Sequence, residues 1–192
     1  MHHIYHTDAF VLESRPKGEG SKMITLYTRE LGLVFASAQS VRELRSKVRY
    51  AVQDFSFSRI DLVKGREIWR ITSATPVLNI FGISGEVLRL IGRVFGLVQK
   101  LCAGEEANEI LFNDLLSFYK ATQNISTKEE YEKLELITVL RILHHLGYLG
   151  KDEDTGAVIS GGLSLSLLNN DTFTYSILVK KINQALRETQ LL

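Results

Sequence analysis

Residues 23–38, MITLYTRELGLVFASA, decide how the amino-terminal part of the chain folds. Residues 23–28 place their side chains alternately on two faces, as a β-strand does. Residues 29–32 (RELG) have the composition of a turn, and residues 33–38 again fit a strand. This stretch therefore predicts two consecutive strands joined by a short turn.

The same strand pattern recurs on both sides of this stretch. Strand-like segments cover residues 5–13, 55–63 and 68–72, and glycine-containing turns lie at residues 15–21 and 64–66. Five strands within roughly 80 residues match the size of an OB-fold barrel. An SH3-like barrel has a similar strand count, so the strand pattern by itself leaves both barrels open.

From about residue 78 the apolar period changes from two to 3.6, which predicts helices. We expect helices at residues 87–101, 106–121 and 127–147 and a last helix over residues 178–186. The third helix begins with the capping-box sequence TKEE. Residues 151–162 are expected to form a loop.

The turn sequence NND at residues 169–171 would join residues 163–167 to residues 172–175 as a small β-hairpin. The predicted fold class is therefore α+β. A five-stranded OB-fold β-barrel is expected over residues 1–79, followed by a helical, otherwise all-α domain over residues 80–192 that contains this hairpin.

The segment 41–50, VRELRSKVRY, concentrates positive charge in a chain whose net charge is only +1. It holds four cations and one anion, and it lies between the third and fourth predicted strands. Residues 1–79 carry 12 Lys and Arg against 8 Asp and Glu, whereas residues 80–192 carry 11 against 14. A cationic loop on a small barrel is suited to hold a phosphate backbone. A loop that is charged only for solubility would have the same composition.

The candidate nucleic-acid-binding residues are the cations of this loop, the cations that flank the first predicted turn, and two tyrosines that could stack on bases. They are Arg42, Arg45, Lys47 and Arg49 in the loop, Arg15, Lys17 and Lys22 at the turn, and Tyr27 and Tyr50. The alternation of Phe55, Phe57 and Trp69 favours the barrel core for these three rings.

Several classes of function find no support in the sequence. The single cysteine, Cys102, excludes an intramolecular disulfide and a four-cysteine zinc site. The five histidines lack further ligands at metal-binding spacing, and common catalytic motifs are absent. We therefore predict no metal, no cofactor and no enzymatic activity.

The location of the protein is predicted from its apolar segments and its cysteine content. The start of the chain lacks the composition of a signal peptide, and charges interrupt the apolar run 80–101. A single cysteine suits a reducing compartment. We expect a cytoplasmic protein that does not enter a membrane.

Residues 7–71 resemble the amino-terminal region of the bacterial recombination mediator family RecO. The shared elements occur in order: AFVL (9–12), GE (18–19) with Ser21, LYT (26–28), ELG (30–32), VR (41–42), SK (46–47) and the strand 55–62. The segments EILFNDLLSFY (109–119) and ELITVLRILHHLGYLGKD (135–152) are similar too.

This resemblance implies an OB-fold joined to a helical domain in a bacterial, nucleoid-associated protein. It implies binding of single- and double-stranded DNA, annealing of complementary strands, and assistance in loading RecA onto DNA coated with single-stranded DNA-binding protein. The implied partners are RecR and the carboxy-terminal tail of that coating protein, with RecA as an indirect partner. A groove between apolar helices, rimmed by cations such as Arg89, Arg93 or Arg141, would suit the tail.

The sequence departs from the family pattern in one place. Many RecO proteins carry a four-cysteine zinc module after a Leu-Gly-Tyr segment, whereas residues 151–162 contain no cysteine. The prediction is a non-enzymatic DNA-binding mediator without this module. An RNA-binding OB-fold protein and a protein–protein adaptor remain the alternatives.

Overall fold

A computed structural model describes residues 3–43, 46–78, 81–163 and 172–189. Its five strands form a closed barrel in the order β1-β2-β3-β5-β4. The strands are β1 (Ile4–Lys17), β2 (Ser21–Thr28), β3 (Gly32–Ala38), β4 (Phe57–Lys64) and β5 (Trp69–Leu78). A five-stranded closed barrel with this order is an OB-fold, so the predicted OB-fold is confirmed.

The first strand is long enough to pair with two neighbours. Its first part pairs antiparallel with β4, where Phe10 lies opposite Phe57. Its second part pairs antiparallel with β2, past an irregularity in register between Val11 and Glu13. Such an irregularity bends a strand, which lets β1 turn from one neighbour to the other. Parallel pairing of β3 with β5 closes the barrel.

The barrel interior is filled mainly by aliphatic side chains that the alternating strand pattern turns inward. They are Ala9, Val11, Ile24, Leu26, Val34, Ala36, Ala38, Ile60 and Leu62, with Trp69 beside them. Val41 and Val52, from the connection between β3 and β4, belong to the same cluster. Phe57 and Trp69 are buried as predicted, whereas Phe55 is half-buried.

The part of the chain that the structure describes after the barrel contains five helices: α1 (Gly85–Leu101), α2 (Glu109–Ala121), α3 (Lys128–His145), α4 (Gly156–Ser160) and α5 (Thr172–Glu188). The predicted capping box opens α3, because the Thr127 hydroxyl accepts from the backbone N–H of Glu130 at 3.2 Å. In return, the Glu130 carboxylate accepts from the backbone N–H of Thr127 at 3.0 Å. Helix α3 packs against α4 and α5.

Residues 102–109, which join α1 to α2, form a strap on the barrel. The carbonyl of Gly104 accepts from the backbone N–H of Leu33 at 3.1 Å. The Glu105 carboxylate accepts from the Trp69 indole N–H at 2.8 Å and from the Lys64 ammonium at 3.0 Å. These hydrogen bonds hold the pKa of Glu105 below its usual value.

The strap lies so close to Gly32 that only glycine fits there. Gly32 has φ +67°, and a Cβ at this position would lie 2.1 Å from the carbonyl oxygen of Glu106. Cys102, at the start of the strap, lies beside Tyr27, and burial raises the pKa of its thiol to about 11. A steric clash with the strap therefore explains why the ELG sequence between β2 and β3 ends in glycine.

Two sequence predictions in the helical part are wrong. Residues 151–162 are not entirely loop, because α4 forms within them and buries Ile159. The hairpin is wrong in its second half, since residues 172–175 belong to α5. The buried residues Leu178, Ile182 and Ala185 lie on one face of this helix, and their period continues back through residue 175. Of the first half, residues 164–167 lie outside the described residues.

The chain divides into two compact units. The barrel unit contains Met1–Leu88 and Cys102–Glu109, and the helical unit contains Arg89–Leu101 and Ile110–Leu192. Within the described parts of the chain, the helices are too short or too polar to span a membrane.

Candidate nucleic-acid interface

The connection between β3 and β4, residues 39–56, carries the cationic segment and is anchored at both ends. Val41 at its start and Val52 near its end are 2% and 0% exposed in the barrel core. Between them, one-turn hydrogen bonds such as Ala51 N–H to the Val48 carbonyl at 3.0 Å shape the backbone. Val41 and Val52 face inward, and Arg42 and Lys47 lie exposed between them.

Arg42 ties this connection to the turn between β1 and β2. Its backbone N–H donates to the Gly20 carbonyl at 3.0 Å, and its guanidinium Nη1 donates to the Gly18 carbonyl at 3.1 Å. Gly18 has φ +65°, a conformation that suits glycine in a tight turn. The first turn and the cationic connection are thus held side by side.

A cleft with a volume of about 400 Å³ lies where the connection meets β2. Lys22, Arg42 and Arg49 line it together with Val41 and Gln53. Three of the predicted cations therefore converge, and none of the described lining residues is acidic. A concave surface with three cations concentrates positive potential and attracts anions.

Lys22 enters this cleft from β2. Its ammonium donates to the Ser14 hydroxyl at 3.0 Å, a neutral partner that leaves its charge uncompensated. Sequence reasoning did not select Gln53, whose amide adds hydrogen-bonding capacity to the same lining. The sequence could have indicated Gln53 through its position directly after the apolar residues Ala51 and Val52, which anchor the connection in the core.

The other predicted cations lie outside the cleft lining. Lys47 is exposed within the connection, and Lys17 is exposed at the end of β1. Arg15 donates to the Glu13 carboxylate at 2.9 Å, and this hydrogen bond raises the pKa of Arg15. The carboxylate offsets part of the charge that Arg15 would offer to a phosphate. Arg45 lies outside the described residues.

The two predicted stacking tyrosines have different environments. Tyr50 is 54% exposed directly after Arg49, so its ring is accessible to a base. Tyr27 is 1% exposed, and burial raises the pKa of its hydroxyl. The prediction that Tyr27 stacks on nucleic acid is therefore wrong in this fold. Strand β2 is buried on both faces at its carboxy-terminal end, and the alternating sequence pattern did not indicate this.

The helical unit does not present Arg141 as a rim cation. Arg141 is 7% exposed and donates to the Asp114 carboxylate from Nε and Nη2, both at 2.7 Å. Its Nη1 donates to the carbonyls of Val158 and Gly161. Arg141 therefore stabilises the segment around α4 instead of offering charge to a peptide.

The remaining proposed rim cations differ in their pairing. Arg93 makes a two-point ion pair with Glu135, with both donor–acceptor distances at 2.6 Å. Arg89 is exposed on α1. Among the described residues, Arg89 is thus the one of the three proposed groove cations that is neither buried nor paired with a carboxylate.

The two adjacent histidines of α3 have separate partners. His145 Nε2 lies 2.6 Å from the Asp114 carboxylate, and His144 Nδ1 lies 2.9 Å from the Leu149 carbonyl. Within the described residues, no three metal-ligating side chains form a group that could hold an ion.

The chain is similar to a known family and to several curated proteins. Residues 1–80 match the family described as Recombination protein O N terminal. A DNA repair protein RecO from Pelotomaculum thermopropionicum is 36% identical over 148 residues, which cover 76% of this chain and 56% of that protein. One from Alkaliphilus metalliredigens is 31% identical over 137 residues, which cover 70% and 53%. The chain thus spans about half the length of these curated relatives.

Proposed function

With its first 80 residues matching the RecO amino-terminal domain, the chain belongs to the RecO family, and we propose that it binds DNA as a recombination mediator in DNA repair. The observation that carries the proposal is the cleft of Lys22, Arg42 and Arg49 on the barrel. The relatives of this chain are named as DNA repair proteins. The cleft supplies the positive charge that a barrel surface needs to bind DNA.

The cleft suits phosphate for a physical reason. Arginine presents several N–H donors in a planar fork that fits two phosphate oxygens, and lysine adds a point charge. Contacts of this kind carry no base-edge information, so we expect little dependence on sequence. Lys17 and Lys47, exposed on neighbouring segments, would extend the cationic surface.

Strand annealing follows from the same electrostatics. Two complementary strands repel each other through their phosphates, and a cationic surface that holds both lowers this repulsion. We propose that this contribution speeds annealing and assists RecA loading on DNA coated with single-stranded DNA-binding protein. RecR and the tail of the coating protein are the proposed partners, with Arg89 as the exposed cation for the tail.

Binding of a fluorescein-labelled oligo-dT strand, followed by anisotropy over a range of salt concentrations, tests the cleft. Replacing Lys22, Arg42 and Arg49 by alanine should weaken binding and flatten the log–log salt slope by about 2, since each phosphate neutralised on a single strand contributes about 0.7. Replacing Lys100, Lys120 and Lys180, exposed cations of the helical unit, makes the same charge change outside the cleft lining. These control substitutions should leave the slope unchanged.

Two further comparisons separate the proposed function from its alternatives. Equal affinity and equal salt slope in the cleft variant and the wild type would refute the cleft. Competition between DNA and RNA of one sequence distinguishes a DNA mediator from an RNA-binding barrel. If no oligonucleotide binds even at low salt, an adaptor that meets an acidic protein takes the place of this proposal. Annealing of strands coated with single-stranded DNA-binding protein then tests the mediator activity itself.

A further inference from the structure

Two aromatic rings of the barrel unit are exposed and in contact with each other. Tyr50 is 54% exposed and Phe81 is 60% exposed. Their ring centroids lie 6.0 Å apart, and their planes are inclined by 59°. Large aromatic side chains usually lie in a core, and a solvent-facing cluster of them commonly marks an interaction surface.

The aromatic pair adjoins the cationic cleft. Tyr50 directly follows Arg49, which lines the cleft, so their Cα atoms are about 3.8 Å apart. Ala51, the next residue, is 0% exposed, and its carbonyl accepts from the hydroxyls of Ser56 at 2.9 Å and Ser58 at 2.7 Å. The backbone that carries the Tyr50 ring is therefore fixed beside the cleft.

We propose that Tyr50 and Phe81 form a stacking platform for the bases of single-stranded DNA whose phosphates occupy the cleft. This inference rests on the proposed function and adds the chemistry that would distinguish a single strand from a duplex. In a duplex the bases are stacked on one another, so their faces are not available to protein rings. In a single strand every base offers a π-face, which makes stacking independent of sequence.

The neighbouring charge is what favours nucleic acid over another occupant. Three cations line the cleft beside the rings, and the described lining contains no acid. A nucleotide combines an anionic phosphate with a flat apolar base, and the cleft offers cations for the first while the rings offer aromatic faces for the second. Phe81 was not among the residues selected from the sequence, because it lies between β5 and α1, outside the predicted basic loop.

A pair of oligonucleotides with equal charge tests the platform. One is oligo-dT and the other is an abasic strand of the same length, so both carry the same phosphates. The wild type should bind oligo-dT at least about fivefold more tightly, from the usual contribution of one stacked base. A variant with Tyr50→Ala and Phe81→Ala should bind oligo-dT only as tightly as the abasic strand.

Two controls assign the effect to the rings. Phe35, 50% exposed on β3, is a matched exposed aromatic, and Phe35→Ala should keep the preference for oligo-dT. A variant with Tyr50→Phe and Phe81→Tyr keeps both rings and should keep the preference too. If the double alanine variant loses affinity equally for both strands, the Tyr50 and Phe81 rings only support the structure and the platform is refuted.

The outcome for the wild type separates this inference from the function on which it rests. Equal, salt-dependent binding of oligo-dT and the abasic strand overturns the platform and leaves the cationic cleft intact. Absence of salt-dependent binding to either strand overturns both. Duplex DNA gives a further check, because the double alanine variant should bind it as tightly as the wild type does.

Discussion

Replacing Asp114 by alanine is expected to destabilise the helical unit by about 3–5 kcal/mol. Asp114 is 8% exposed, and its two carboxylate oxygens accept from Arg141 at 2.7 Å each. Without the carboxylate, the guanidinium stays buried with no opposite charge. Breaking a buried ion pair in this way typically costs about 3–5 kcal/mol, since the remaining ion has lost its hydration as well as its partner.

A second ion pair of the same unit provides the control. Arg93 and Glu135 also form a two-point pair, at 2.6 Å, but their side chains are 55% and 26% exposed. Exposed pairs contribute about 1 kcal/mol or less, because water replaces the lost partner. Glu135→Ala should therefore cost far less than Asp114→Ala, although the geometry of the two pairs is similar.

Urea unfolding of the full chain measures the difference. Far-ultraviolet circular dichroism follows the helices, and the fluorescence of the single tryptophan, Trp69 on β5, follows the barrel. With a dependence of about 1–3 kcal/mol per molar urea, Asp114→Ala should lower the midpoint of the circular dichroism transition by one to several molar. A loss no larger than that of Glu135→Ala would refute the reasoning. Combining Asp114→Leu with Arg141→Met should recover most of the lost stability.

The contribution of Asp114 also depends on pH. Burial would raise the pKa of Asp114, but hydrogen bonds from His145 and Arg141 outweigh burial and lower it. Because the pKa is lower in the folded protein, the stabilisation is complete above the unfolded value of about 3.9 and is lost as the pH falls below it. The difference in stability between the wild type and Asp114→Ala should thus be full at about pH 7 and shrink below about pH 4.

Three further predictions follow from contacts elsewhere. Cys102, with a thiol pKa of about 11, should react with a thiol reagent at about pH 8 far more slowly in the native protein than in urea, because about one thiol in a thousand is ionised. Gly32→Ala should lower the midpoint of the fluorescence transition, because it adds about 1–3 kcal/mol of backbone strain and its Cβ clashes with Glu106. Gly18→Ala adds the same strain but has open space around its Cβ, so it should lower the midpoint less. Thr127→Ala should cost about 1 kcal/mol in urea unfolding, because α3 loses its capping hydroxyl.

The sequence predicted the strands and helices better than it predicted which of them pair. Alternation and glycine turns indicate each strand, because both are local properties of the chain. The pairing of β1 with β4 and of β3 with β5 joins residues far apart in sequence, so the strand pattern alone could not separate an OB-fold from an SH3-like barrel. The predicted hairpin was wrong over residues 172–175, because a turn sequence was given more weight than the helical period that follows it.

The candidate site was predictable in its charge and not in its arrangement. Lys22 and Arg49 were selected as cations, but their meeting in one cleft depends on hydrogen bonds from Arg42 to the carbonyls of Gly18 and Gly20. No local pattern predicts such contacts. Arg141 was misassigned for the same reason, since its partner carboxylate is 27 positions away in the chain.

Because of the strap at residues 102–109, the barrel depends on a segment that follows the first helix in the sequence. Cutting the gene after the fifth strand would remove Glu105, the acceptor of the Trp69 indole, and Gly104, the acceptor of the Leu33 amide. A truncated barrel would expose the surface that these residues cover and leave two donors to water. The family match that ends at residue 80 is therefore shorter than the barrel with its strap. A chimaera that exchanges the barrel between relatives should include the strap.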